Sequence, residues 1–232
     1  DRRKSKISLN ENGKFFLSLA EKLLDDSDGC VERIRAFDRS RRTISVGSCA
    51  RAPLWVILPA LSASFPEKTV SSQTKGAESL LDDLMEGRAD IVITHEPSQR
   101  QDIYSFPFGK ERLFLNVPKT HPLAKRTKGV TFSEIESYSF LLYSRIGDWE
   151  AVVRKAMPET HFIVQDNWDN FLSLTQISAL PSFTSDLAVK YFGAPSGAVV
   201  LPLLEKEAEM IYYCHILQKN KRELKPFWER YL

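Results

Sequence analysis

Thiol, imidazole and carboxylate side chains have the most to offer chemically, and the chain carries three cysteines (Cys30, Cys49, Cys214) and four histidines (His95, His121, His161, His215). Cys49, His95 and Asp166 would together supply the nucleophile, base and orienting acid of a covalent mechanism, and all three fall at the ends of predicted strands. Strand ends collect such residues in any two-lobed α/β protein, so the coincidence carries little weight. There is no nucleophile elbow, Walker loop, GxGxxG or HExxH, and the histidines show no metal-ligand spacing with the cysteines. The expectation is no enzyme, no metal and no cofactor.

Binding is the better use of the same positions. In an open α/β sheet, ligands collect beyond the carboxyl ends of the strands, where helix N-termini offer free amides. After the first predicted strand come Ser48, Cys49, Ala50 and Arg51; after the second, Thr74 and Lys75; after the third, Thr94 and His95. In the second half, Tyr143, Ser144 and Arg145 follow one strand, Asp166 and Asn167 another, and Pro181, Ser182 and Phe183 a third. The Ser48 hydroxyl suits either a ligand oxygen or a helix cap. Arg51 suits either a carboxylate ligand or a solvated helix start. Cys49 reads as an oxidant-sensitive thiol or, more simply, as a small inert group in the pocket wall. His95 reads equally as a hinge contact or a loop residue, and Thr94, at the strand end itself, is the better pocket candidate. Ser48, Thr74, Ser144 and Asn167 point to a small polar ligand, while Arg51, Lys75 and Arg145 leave room for an anion.

The elements that must position these groups begin with a long helix. Ser8-Leu9-Asn10-Glu11 is a capping-box pattern. After it Phe16, Ala20, Leu23, Ser27, Cys30, Ile34 and Phe37 recur at alternating intervals of four and three. That a/d seam, with Ser27 as its polar break, needs a second helix to cover it. A terminal helix lying on its own domain is the plainer alternative. The charged run Asp38-Arg39-Ser40-Arg41-Arg42 suits a solvated linker and favours an intermolecular seam.

From Thr43 the pattern alternates. Strands are predicted at 43–47, 69–73 and 90–94, with helices from about Pro53 and over 77–86, the latter stopped by Gly87. Further strands are predicted at 112–117, 139–143, 162–165, 177–180, 198–201 and 210–217, with helices near 149–156, 171–175, 186–192 and 226–232. Apolar strands alternating with helices imply an α/β fold with parallel sheets covered on both faces. The organisation read from this is a linker helix over 1–42, one lobe over 43–115, a second over 116–200, and a return to the first over 201–232.

Composition narrows the class. With 14 Phe, 7 Tyr and 4 Trp in 232 residues, the chain is too apolar for disorder, and it is long enough for one large or two small domains. No window approaches 18 consecutive apolar residues, so no membrane span is expected, and the basic stub at 1–6 has no apolar run behind it. An odd number of widely spaced cysteines fits free thiols in a reducing cytoplasm. Residues 1–42 hold 11 of the 32 Lys/Arg and 8 of the 30 Asp/Glu, so the net +2 becomes +3 there and −1 in the body. A nucleic-acid surface spread over the body is thereby disfavoured.

The order of motifs resembles the C-terminal part of a LysR-type transcriptional regulator. Ile7-Ser8-Leu9-Asn10-Glu11-Asn12-Gly13 is similar to the end of the family's winged helix-turn-helix and the start of its linker helix. Leu58-Pro59-Ala60-Leu61 with Phe65-Pro66 resembles its first effector-domain helix, Leu81 to Ile93 its most recognisable run, and Val117 to Ala124 its crossing strand and following loop. Thr175 to Pro181 departs from the family by lacking the usual glycine-rich approach. The resemblance implies two Rossmann-like lobes joined by two crossovers, a type II periplasmic-binding-protein-like fold. It also implies a small-molecule effector between the lobes, a dimer or tetramer, and DNA contact through a helix-turn-helix outside this chain. A periplasmic solute-binding protein of the same architecture is the runner-up.

Overall fold

The computed structural model describes residues 9–231, and within the first helix it describes the side chains of 11–24, 27 and 42 only. The strands are Thr43–Ser48 (β1), Thr69–Thr74 (β2), Ile91–Thr94 (β3), Ile103–Pro118 (β4), Phe140–Tyr143 (β5), Phe162–Gln165 (β6), Ser182–Ser185 (β7), Ala198–Pro202 (β8) and Glu209–Leu217 (β9). The helices are Glu11–Arg42 (α1), Ala52–Ser64 (α2), Ala77–Met85 (α3), Phe132–Ile135 (α4), Trp149–Ala156 (α5), Trp168–Ile177 (α6), Asp186–Phe192 (α7) and Lys225–Trp228 (α8).

Helix α1 runs 32 residues, roughly 48 Å at 1.5 Å per residue. Asn10 caps it, its side-chain oxygen accepting from the Gly13 amide at 2.9 Å, whereas the expected capping residue Ser8 lies outside the described residues. Of the seam, Phe16 and Leu23 are each 71% exposed, Ala20 is half-buried and Ser27 is exposed. The side chains of Cys30, Ile34 and Phe37 lie outside the described set.

The sheet order β2-β1-β3-β9-β4-β7-β5-β6 contains one pattern twice. In the first half β1 pairs in parallel with β2 and β3, and β9 closes the set antiparallel to β3. In the second half β5 pairs in parallel with β6 and β7, and β4 closes it antiparallel to β7. The two halves are α/β lobes that share β4. Residues Ile103–Arg112 of β4 pair with β9, and Leu113–Pro118 pair with β7 and β8. The chain thus crosses between lobes once inside β4 and again between β8 and β9.

Strand β4 is far longer than its expected 112–117. Pro107 and Gly109, ordinary strand breakers, are accommodated by a register shift between them opposite Tyr213 and Tyr212. A second correction concerns 177–180. Asn167 accepts from the Asn170 amide and nucleates α6, which continues through Ile177, leaving that side chain 81% exposed. The strand forms instead at Ser182–Ser185, so Pro181 and Ser182 stand at its beginning, Ser182 beside Leu141 of β5.

Each lobe has its own core. Ile57, Leu61, Leu80, Leu84 and Ile91–Ile93 pack β1 and β3 against α2 and α3, while Leu115, Ile135, Phe140, Trp149 and Val153 fill the second. Gly87, at φ +73°, ends α3 in a left-handed turn that a side chain would strain. Among the described residues no helix is long and apolar enough to cross a membrane.

Candidate effector cleft between the lobes

The strand-end loops of the two lobes meet. On the first-lobe side β1 runs into Ser48-Cys49-Ala50-Arg51, all but Arg51 buried. The turn is held by its own groups. The Ser48 hydroxyl donates to the Ala50 carbonyl at 2.7 Å and accepts from the Ala50 amide at 3.3 Å. The Lys75 amide donates to the Ser48 carbonyl at 3.1 Å, and the Cys49 amide to the Ile93 carbonyl at 3.0 Å, tying the ends of β1, β2 and β3 together. The Ser48 hydroxyl is therefore committed to its turn rather than to a helix cap or to open space.

On the second-lobe side the loop after β5 reaches across. Gly147 sits at φ +68°, and a Cβ there would come within 3.0 Å of the Cys49 carbonyl. Glycine is required twice over, by the left-handed backbone and by the approach of the two loops. Asp148, the next residue, brings its carboxylate Oδ2 to 2.9 Å from His95 Nδ1. The approach has ion-pair distance but lies off the line of a hydrogen bond, so both atoms are buried without a hydrogen-bonded partner. Cys49 Sγ completes a group whose donor atoms all lie within 4.8 Å of one another.

A second contact spans the lobes beside this cluster. The Arg51 guanidinium lies 5.5 Å from the Tyr143 ring centroid and 5.7 Å from that of Trp168, and those two rings meet edge-on at 5.0 Å. Cation–π attraction of this kind is worth about 0.5–1 kcal/mol per exposed pair. Behind the cluster the buried Glu111 carboxylate accepts from Tyr212 Oη at 2.7 Å and Trp149 Nε1 at 3.0 Å. This network joins β4, β9 and the first turn of α5.

Electrostatics decide what Cys49 can be. Burial, reinforced by the negative charges of Asp148 and Glu111, pushes its thiol up to about 12. With only protein around it, the group is a neutral thiol, poorly suited to nucleophilic attack or oxidant sensing. Cys214 is likewise pushed up by burial.

The remaining expected site residues divide. Thr94 is buried and its hydroxyl donates to the Glu96 carbonyl at 2.8 Å, which leaves it to accept from His215 Nε2 at 2.7 Å. His215 Nδ1 then accepts from the Ser105 hydroxyl at 2.9 Å, an assignment that keeps the ring neutral. Lys75 is spent on the buried Asp83 carboxylate, which it shares with Arg88. Burial alone would raise Asp83, but the two cations hold it below the usual carboxylate range. Asn167 caps α6, Ser182 accepts from Asn116 Nδ2 at 3.2 Å, Ser144 is half-buried, and Thr74, Arg145 and Asp166 are exposed. Fold and charge bring together Cys49, His95, Arg51 and Tyr143 but replace Asp166 with Asp148 as the carboxylate beside the thiol and imidazole. Asp148, Gly147, Glu111 and Trp168 are not among the residues expected from sequence. Asp148 immediately precedes α5, where an acidic residue reads as a cap, yet it makes no side-chain cap bond. Linear spacing shows no metal-ligand set; in the fold Cys49, His95 and Asp148 each bring one donor atom within 4.8 Å of the others.

The profile of the LysR substrate binding domain matches residues 38–229. A Bacillus subtilis (strain 168) protein named as an uncharacterized HTH-type transcriptional regulator, YybE, is 29% identical over 150 residues, covering 62% of this chain and 51% of its own length. A probable RuBisCO transcriptional regulator of Phaeodactylum tricornutum is 22% identical over 222 residues, 90% of this chain and 68% of its own. This chain thus spans only about half to two thirds of these relatives. A full-length OxyR point variant from Pseudomonas aeruginosa superimposes with a TM-score of 0.66 at 20% identity, over 99% of this chain and 82% of that one. The BenM effector binding domain with its effector benzoate gives 0.64 at 17% identity, over 82% and 92%. The shared architecture is that of two lobes of the type II periplasmic-binding-protein kind.

Proposed function

The chain belongs to the LysR substrate-binding domain family, and from that premise we propose that it is the effector-sensing part of a LysR-type transcription factor. A small molecule binds between the lobes, the lobes shift about the crossings in β4 and between β8 and β9, and α1 relays the shift to a DNA-binding domain. Read this way, the chain is a cytoplasmic sensor working as a dimer or tetramer, not an enzyme. We assign the linker to 1–42, the first lobe to 43–112 with 209–232, and the second lobe to 113–208, in place of the expected lobe limits at 115 and 200.

The observation that carries the reading is the set of contacts crossing the gap, His95 with Asp148 and Arg51 with Tyr143 and Trp168. Both join a strand-end loop of the first lobe to the second lobe, and both change if the lobes move. A ligand acts only through its preference for one arrangement over the other. Arg51 and Arg145 are the cations left to face an effector, since Lys75 is committed to Asp83, and a small carboxylate fits a guanidinium's fork of donors. Cys49, Ala50, His95, Tyr143, Ser144 and Arg145 line the same gap, with Ser48, Thr94 and Ser182 holding the walls and Thr74, Asp166, Asn167 and Pro181 at its margins.

Benzoate, the effector of the BenM domain, is a rational first member of a panel of small carboxylates and polar metabolites. Hydrogen exchange of the chain with each binder should show protection at 48–51 and 144–148. Tight binding with protection elsewhere and none at these loops would sink the assignment. The solute-transport reading has no observation in its favour.

A further inference from the structure

We propose that Cys49, His95 and Asp148 bind one thiophilic divalent cation of the zinc type across the gap between the lobes. The three donors are a thiol, an imidazole and a carboxylate, and they come from three loops, after β1, after β3 and before α5. Bond lengths of about 2.0–2.3 Å place the donors of a tetrahedral zinc centre roughly 3.4–3.6 Å apart. The observed set, with all atoms within 4.8 Å and the His95–Asp148 pair at 2.9 Å, needs adjustments of only about 1 Å to reach that geometry. A thiolate with an imidazole selects zinc, cobalt or copper over magnesium and calcium, which prefer all-oxygen shells.

Two further observations point to a cation. His95 Nδ1 and Asp148 Oδ2 are shut off from solvent and face each other at 2.9 Å without hydrogen-bond geometry, two acceptor-capable atoms that a cation between them would satisfy together. Asp148 forgoes the cap bond its position offers, so its carboxylate is directed at the cluster at the helix's expense. The Glu111 carboxylate behind the thiol adds negative potential without being a ligand, because Tyr212 and Trp149 already occupy it.

Binding would replace the thiol proton, the metal taking the sulfur as thiolate and the proton leaving to solvent. Three protein ligands leave a fourth position, and His95 and Asp148 keep side chains 35% and 42% exposed, so a water or a small anion can complete the shell. Because Cys49 and His95 belong to one lobe and Asp148 to the other, the ion clamps the lobes together. The site stands whether or not an organic effector occupies the cleft.

The test is a titration of the reduced, metal-free 232-residue chain with cobalt(II), read by absorption. One equivalent should produce a thiolate-to-cobalt charge-transfer band with tetrahedral d–d bands, and zinc should displace it. Cys49→Ser should abolish the charge-transfer band, Asp148→Asn should weaken binding at least ~10-fold, and Cys214→Ser should leave both unchanged. Far-UV circular dichroism checks each fold, and if Cys49→Ser does not fold, His95→Gln takes its place with the same expected loss of affinity. A wild-type chain with no thiolate band, or a band and affinity retained in Cys49→Ser or His95→Gln, overturns the assignment.

Discussion

Replacing Glu111 with leucine removes the acceptor shared by Tyr212 Oη and Trp149 Nε1, and all three side chains are 4% exposed or less. Two buried donors left unpaired cost about 1–3 kcal/mol each. Apolar burial of the leucine returns part of that, on the order of 1–2 kcal/mol. The expected loss is therefore centred on about 2.5 kcal/mol, measured by urea unfolding with circular dichroism. The decisive step is a double-mutant cycle with Tyr212→Phe. In the native background that substitution breaks a hydrogen bond to a charged acceptor and costs about 1.5–3 kcal/mol. In Glu111→Leu it instead removes an orphaned hydroxyl, so the double variant should be at least ~1 kcal/mol more stable than the sum of the single effects implies. Strict additivity would refute the Glu111–Tyr212 bond as a coupling between β4 and β9.

Further outcomes follow from the same contacts. Arg51→Ala deletes two cation–π contacts across the gap, together about 1–2 kcal/mol, and should speed hydrogen exchange at 144–148 roughly 5- to 30-fold; unchanged exchange would show that Arg51 does not hold the lobes. His215 is neutral in the fold, its pKa lowered by burial from 6.5 to about 4. The unfolded chain takes up the proton first, so stability is level above about pH 6.5 and falls as the pH drops towards 4. Between pH 7 and pH 5 the loss from this group is about 2 kcal/mol, and His215→Asn should flatten the slope by that amount; an identical slope in the variant would contradict the assignment. Leu23, 71% exposed on α1, is expected on a helix–helix seam, so Leu23→Glu should shift the sedimentation distribution towards smaller species, and an unchanged distribution would locate self-association elsewhere.

The alternation of strands and helices was legible because each strand from β1 to β3 carries its apolar or β-branched run between clear breakers, with Gly87 marking the end of α3 as expected. Two strands were not. Pro107 and Gly109 mask the first half of β4, whose continuity is supplied by pairing with β9, a partner about a hundred residues away. The apolar run at 177–180 imitates a strand, while the actual strand is the polar Ser-Phe-Thr-Ser, whose serines are satisfied by Asn116 and by the Ala188 amide at the start of α7. At the site, Cys49 and His95 could be placed because each follows a strand of the first lobe. Asp148 lies beyond Tyr143, Ser144 and Arg145, the residues read at that strand end, and the approach of Gly147 to Cys49 brings its loop against the other lobe. Lys75 shows the reverse. A cation at a strand end reads as a ligand group until the fold presents it with a buried carboxylate.

If the chain is a sensor, occupancy of the cleft must alter the grip on DNA. The deciding quantity is the affinity of the full-length regulator for its operator, measured by fluorescence anisotropy with and without a ligand whose protection of 48–51 and 144–148 has been demonstrated. Coupling of about 1–3 kcal/mol predicts a roughly 5- to 150-fold change in Kd. An unchanged Kd with the cleft fully occupied would contradict it.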